Sequence, residues 1–245
     1  VRPDRFIPIA EHAGLIECIG DWVIQSALLQ LKSWHEMGNE ELCVAINFSA
    51  FQFQQKDLVE RVVAGLEEAQ LSASSLVVEI TESSLIENLD TAVDIVNGLH
   101  EAGVCVALDD FGTGYSSLNY LKLFPIDVVK IDRSFLRDFP AQPNDTEIVS
   151  AIIAMAHSLG LRVVAEGVET DRQLQVLQNM QCDEIQGYLF SKPISRDHAT
   201  ELLLNPADIR RMVKAAGRDG IGRLSDRPTA ISGIVNEMPK EGFGT

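Results

Sequence analysis

The 245 residues suffice for one large domain or two small ones, and 46% hydrophobic with 23% charged residues is the make-up of a globular protein with a sizeable core. A formal net charge of −16 argues against non-specific attraction to nucleic acid, DNA or RNA. It would also repel an anionic substrate unless cations or a few placed basic groups sit in the site.

Short apolar runs, each meeting a polar residue, recur along the chain. Leu42–Ile46 precedes Asn47, Leu76–Val78 runs into Glu79, and Val104–Leu108 ends at Asp109 and Asp110. Ile126–Val129 precedes Lys130, Arg162–Ala165 precedes Glu166, and Glu184–Ile185 precedes Gln186. Runs this short, rich in Val and Ile, are expected to be strands buried on both faces.

Between them the apolar spacing is helical. Trp22, Ile24, Ala27, Leu28, Leu31 and Trp34 form one stripe, and Leu58, Val62, Val63, Leu66 and Ala69 a second. Ala92, Val93, Val96 and Leu99 form a third, Ile148, Ile152, Ile153, Met155 and Leu159 a fourth, and Leu174, Val176 and Leu177 a fifth. Gly38 and Gly160 stand at stop positions, where a left-handed cap is favoured. Strand and helix alternating with short connections predict a parallel sheet covered by helices. The count is about six strand–helix units, whereas a closed barrel needs eight. No Pro- or Gly-rich linker interrupts the chain early, so the expectation is strands missing at the N-terminus. Residues 1–206 are expected to be one incomplete barrel, and 207–245 a terminal helix followed by a disordered tail.

Cys18, Cys43, Cys105 and Cys182 are scattered and give neither a zinc motif nor a disulfide framework. No apolar run approaches the roughly eighteen residues of a membrane span. The chain is therefore expected to carry no membrane segment and to be cytoplasmic, with no leader expected before the first periodic stretch and an anchor upstream left open.

In a barrel, the ends of all the strands face one rim, where active sites are built. Asn47, Glu79, Asp109, Asp110 and Glu166 are hard oxygen ligands suited to Mg²⁺ or Mn²⁺, and two neighbouring ions would need about this many carboxylates. Lys130 supplies a positive charge to orient a water or neutralise a phosphate. Taken singly, Glu79 or Glu82 serves as well as a helix cap, Asp110 as a turn residue and Lys130 as a surface lysine. Together, on successive strand ends, they point to a metal-dependent phosphate site. Gly112 and Gly114, just after the Asp pair, allow the backbone to approach a bound group closely.

The segments NFSAFQ (Asn47 to Gln52), EITES (Glu79 to Ser83), DDFGTGYSSL (Asp109 to Leu118), VVKIDRSF (Val128 to Phe135), VVAEGVET (Val163 to Thr170) and IQGYLFSKP (Ile185 to Pro193) resemble the EAL-domain family in order and spacing. The resemblance covers residues 1 to about 205. It implies a modified (β/α)₈ barrel that hydrolyses cyclic-di-GMP to linear pGpG with Mg²⁺ or Mn²⁺ in bacterial signalling. It further implies that Asn47, Glu79 and Asp109 hold one ion, while Asp109, Asp110 and Glu166 serve a second. Lys130 would position the attacking water, with Gln186 in the same network and Glu169 a supporting rim carboxylate. Glu82 would steady the Asp110–Ser117 loop, the side of a homodimer interface, and Asp132 would support Lys130.

The family's signature Glu-Ala-Leu occurs nowhere in the chain, and the resemblance implies that the chain begins downstream of that strand. Loss of that glutamate is expected to compromise this chain's activity. Two other readings were weighed: a receptor that binds cyclic-di-GMP without cleaving it, and an unrelated metal-dependent barrel such as a glycerophosphodiesterase. The last would call for a histidine at a strand end, whereas His12, His35, His100, His157 and His198 all lie in helix-like stretches.

Overall fold

The computed structural model describes residues 3–113, 118–205 and 229–232. In chain order the elements are α1 (Pro3–His12), α2 (Ile16–Glu36), β1 (Leu42–Phe48), α3 (Leu58–Ala69), β2 (Leu76–Thr81), α4 (Glu82–Glu87), α5 (Leu89–Glu101) and β3 (Cys105–Phe111). There follow α6 (Leu118–Leu123), β4 (Val128–Ile131), α7 (Pro143–Ser158), β5 (Arg162–Glu166), α8 (Asp171–Asn179), β6 (Glu184–Gln186), α9 (Arg196–Leu204) and β7 (Thr229–Ser232). The strands form one sheet in the order β6-β5-β4-β3-β2-β1-β7. Each neighbouring pair is parallel. This is the α/β, barrel-type architecture expected, with β6 and β7 as its edges among the described residues.

Strand alternation divides the sheet's side chains between two faces. Val44, Ile46 and Phe48 of β1, Val78 and Ile80 of β2, and Val129 and Ile131 of β4 join the large core with the stripes of α2, α3, α5 and α7. The opposite parity, Cys43, Ala45, Val77, Ala107, Val128 and Val164, forms a separate, smaller cluster. These small side chains line the concave face, where the curving strands leave little room. Continuing along the same parity toward the strand ends gives Asn47, Glu79, Asp109, Lys130, Glu166 and Gln186, so the pleat sets all six on one face.

One expectation needs correction. Four of the six polar residues do not terminate their strands: β1 runs on to Phe48, β2 to Thr81, β3 to Phe111 and β4 to Ile131, whereas β5 and β6 do end at Glu166 and Gln186. The outward partners Phe48, Ile80, Phe111 and Ile131 remain packed in the large core, which keeps the backbone extended past each polar residue. Beyond α9, Thr229–Ser232 pairs in parallel with Leu42–Ala45 of β1. An unpaired strand edge offers a row of donors and acceptors, which a four-residue segment satisfies despite its weak pattern. The expected terminal helix from 207, and the rest of the tail, lie outside the described residues.

Candidate active site

Lys130 is the hub of the inward-facing polar residues. Its ammonium is 95% shielded and lies 2.8 Å from Glu79 Oε2, 2.7 Å from Glu166 Oε1 and 3.3 Å from Asp109 Oδ2. Four different strands deliver these groups, each through the same pleat. Asn47 Nδ2 donates to Glu79 Oε2 at 2.7 Å, so that oxygen accepts from both Asn47 and Lys130. Burial alone would lower the lysine's proton affinity. The carboxylates of Glu79, Glu166 and Asp109 outweigh it and hold the group above the ordinary lysine range. The Glu166 carboxyl is pushed up by its own burial, pulled down by Lys130 and raised again by Asp109 and Glu79.

Asp110 departs from the strand pattern. It adopts φ 54°, and the pairing of β3 with β4 shifts register between Leu108 and Phe111. An irregularity of this kind re-aims a side chain that regular pleating would send outward. Its amide donates to Asp109 Oδ1 at 2.9 Å, tying the two aspartates together. The Asp110 carboxyl is pushed up by burial, then by Asp109 and Asp132, against the pull of Lys130. Asp132 itself lies low: burial opposes ionisation, but the Ser134 side chain and the amides of Ser134 and Arg133 overcome it. Gly112, at φ 94°, is needed for space as well as conformation, because a Cβ there would stand 2.8 Å from the Phe135 ring.

Glu82 is buried at the start of α4, directly after β2. Glu169 is exposed in the loop after β5 and stands outside the Lys130 cluster. Its amide is held by Gln173 Oε1 at 2.8 Å, as is the amide of Thr170 at 2.9 Å. Buried Gln173 also donates to Leu136 O, pinning the rim loop to the segment after β4. Gln186 sits opposite Glu166 in register and is exposed. Gly114 lies outside the described residues. Tyr188, an exposed aromatic two residues past Gln186, is a single ring in a loop and leaves no periodic signal in the sequence.

The donor set suits a hard divalent cation. The carboxylates of buried Glu79 and Asp109 and of half-buried Glu166, facing one ammonium, leave the pocket negative, all the offered atoms are oxygens, and Asp110 adds another carboxylate. As placed, no group of three acidic, His or Cys residues among the described ones stands ready to hold an ion. The Lys130 ammonium occupies the point on which Glu79, Asp109 and Glu166 converge. It plays the counter-ion there, so the site is anionic by construction and fits the group.

The EAL domain model matches residues 1–193, and the chain belongs to that family. Cyclic di-GMP phosphodiesterase NbdA of Pseudomonas aeruginosa is 49% identical over 192 residues, which are 78% of this chain and 24% of that protein. The chain thus spans about a quarter of the length of such curated relatives. Among solved structures, the PaMucR phosphodiesterase in complex with c-di-GMP superposes with a TM-score of 0.76 at 41% identity, covering 79% of this chain and 78% of that one. The manganese and cyclic-di-GMP complex of BlrP1 from Klebsiella pneumoniae gives a TM-score of 0.61 at 32% identity over 67% of this chain and 42% of that one.

Proposed function

We propose that this chain hydrolyses cyclic-di-GMP to linear pGpG with Mg²⁺ or Mn²⁺. The observation that carries the reading is the convergence of Glu79, Asp109 and Glu166 on Lys130 at the carboxyl end of a parallel, barrel-type sheet. The names of NbdA and PaMucR support the substrate, and the BlrP1 manganese complex supports the class of cofactor.

Asn47, Glu79 and Asp109 would hold one ion and Asp109, Asp110 and Glu166 a second; when bound, such ions supply charge that clamps phosphodiester oxygens and acidifies water. In the reaction, a water oxygen attacks phosphorus, the bond from phosphorus to the 3′ oxygen breaks, and that oxygen leaves with a proton. Lys130, held protonated, is a donor and not the base. It can fix the water's orientation and stabilise charge gathering on the phosphoryl oxygens. The proton released by the water therefore passes to a carboxylate. Glu169 and Gln186, both exposed near Glu166, would order the substrate side of the site.

The sequence contains no Glu-Ala-Leu tripeptide, so the ligands named above are those that the residues of this chain supply. Dimerisation through the Asp110–Ser117 side belongs to the same reading, although residues 114–117 lie outside the described ones. Among the described residues no helix is long and apolar enough to cross a membrane.

Turnover of cyclic-di-GMP with Mg²⁺ and with Mn²⁺ tests the proposal. The unaltered chain is expected to release the linear dinucleotide. Glu79→Ala and Asp109→Ala should each lose roughly 100-fold or more, beyond what outer supporting groups typically cost. Normal turnover by either variant would sink the ligand assignment, and binding without product by the unaltered chain would favour the receptor reading.

A further inference from the structure

Among the described residues the exposed aromatic side chains are Phe51 and Tyr188. Both follow strands at the rim that carries the carboxylates, Phe51 after β1 and Tyr188 after β6. Tyr188 is the more open of the two, at 58% against 39%. It lies two residues past Gln186, whose strand pairs with that of Glu166. At ~3.3 Å per residue, its backbone is within about 7 Å of Gln186.

Lys192 crosses this ring, with Nζ 5.9 Å from the centroid, and its ammonium makes no ion pair among the described residues. A lysine lying over an exposed ring is ordinary surface packing. The setting is not ordinary: on a chain of net charge −16, a lysine without a carboxylate partner among the described residues stands beside an open aromatic in the loop after β6, the strand that pairs with that of Glu166.

The platform is also held in place. Gly187 is packed so tightly that a Cβ would overlap the Val168 backbone oxygen and nitrogen. Val168 N donates to Gln186 O at 3.1 Å, and Leu189 N donates to Val168 O at 3.0 Å. The loop carrying Tyr188 is thereby stitched on both sides of the ring to the loop that follows Glu166.

We propose that Tyr188, with Lys192 beside it, is a nucleobase platform: the ring stacks on one purine of the substrate and the ammonium attracts the ligand's phosphate or the purine's carbonyl edge. The inference deepens the reading given above and rests on it. Stacking needs a flat face open to solvent, which Tyr188 provides in the loop that follows β6. The site would thus bind purine-bearing phosphodiesters in preference to base-free ones.

Equilibrium binding and steady-state turnover of cyclic-di-GMP by the whole chain separate the possibilities. Tyr188→Ala should weaken binding roughly tenfold through KM, with kcat little changed. Tyr188→Phe and Tyr188→Trp should stay within about twofold, and the fluorescence of the introduced Trp should be quenched on adding the dinucleotide. Lys192→Gln should weaken binding about threefold and flatten its salt dependence. The Phe and Trp variants guard against an Ala variant that merely folds poorly. Unchanged affinity in Tyr188→Ala, or equal losses in the Ala and Phe variants, overturns the platform alone. Absence of binding by the unaltered chain overturns the functional reading on which it stands.

Discussion

Lys130 is a buried cation whose neighbours would otherwise repel one another, so its removal affects both stability and chemistry. Lys130→Met should cost ~3–5 kcal/mol, because buried Glu79 and Asp109, with half-buried Glu166 beside them, would be left as uncompensated charges. Urea denaturation measures this, and part of the loss should return on adding a divalent cation. Unchanged stability would show that the carboxylates do not depend on the lysine. The cysteines make a second test at this scale. Burial pushes the Cys43 thiol up to about 11 and those of Cys105 and Cys182 up to about 12. A raised thiol stays protonated at pH 8, leaving about one part in a thousand of Cys43 as reactive thiolate. Exposed Cys18 should therefore alkylate first, and the other three only on unfolding, which mass spectrometry of the labelled chain would read. The identities of the site residues were legible in the sequence because polar residues interrupting apolar runs are conspicuous. That Lys130 pairs with three of them at once was not, since the contact joins residues up to 51 positions away in the chain.

At the level of elements, the five helices and six strands expected from periodicity are present, and their boundaries differ for physical reasons. Strand ends were read one to three residues short because a polar inward residue looks like a terminus when only apolar runs are counted. The six-residue helices α4 and α6 are too short to display a stripe, and α1 and α9 were not among the expected stripes. Loop packing was beyond the sequence altogether, and two glycines of contrasting role test it. Gly160, at φ 77°, has open space around a Cβ, so Gly160→Ala should cost only the left-handed strain, about 1–2 kcal/mol. Gly187→Ala must also push Val168's backbone aside, adding about 1–3 kcal/mol of overpacking and disturbing the rim beside Glu166. Denaturation midpoints and substrate KM measured on both variants would check this ordering. A Gly187→Ala chain as stable as Gly160→Ala would mean that the two loops are not in contact.

For the whole molecule, a charge of −16 and a pocket of converging carboxylates predict two distinct salt effects. Monovalent salt should raise the melting temperature gradually by screening surface repulsion. Mg²⁺ or Mn²⁺ at the same ionic strength should raise it further, because an ion bound only by the folded state stabilises by mass action. That extra increment should vanish in Asp109→Ala. If Na⁺ matches Mg²⁺ in thermal scans of the unaltered chain, the ion-binding reading fails. By itself the sequence determined the class of fold, since alternating buried strands and amphipathic helices with short connections leave few alternatives to a parallel, helix-covered sheet. It also determined which residues face one rim, because the period of a strand is two. Only the tertiary structure decided that these residues meet around Lys130, that Asp110 leaves the pleat at φ 54°, and that β7 closes against β1. Each of those depends on sheet curvature, local register or an available edge, and such properties arise between segments distant in the chain.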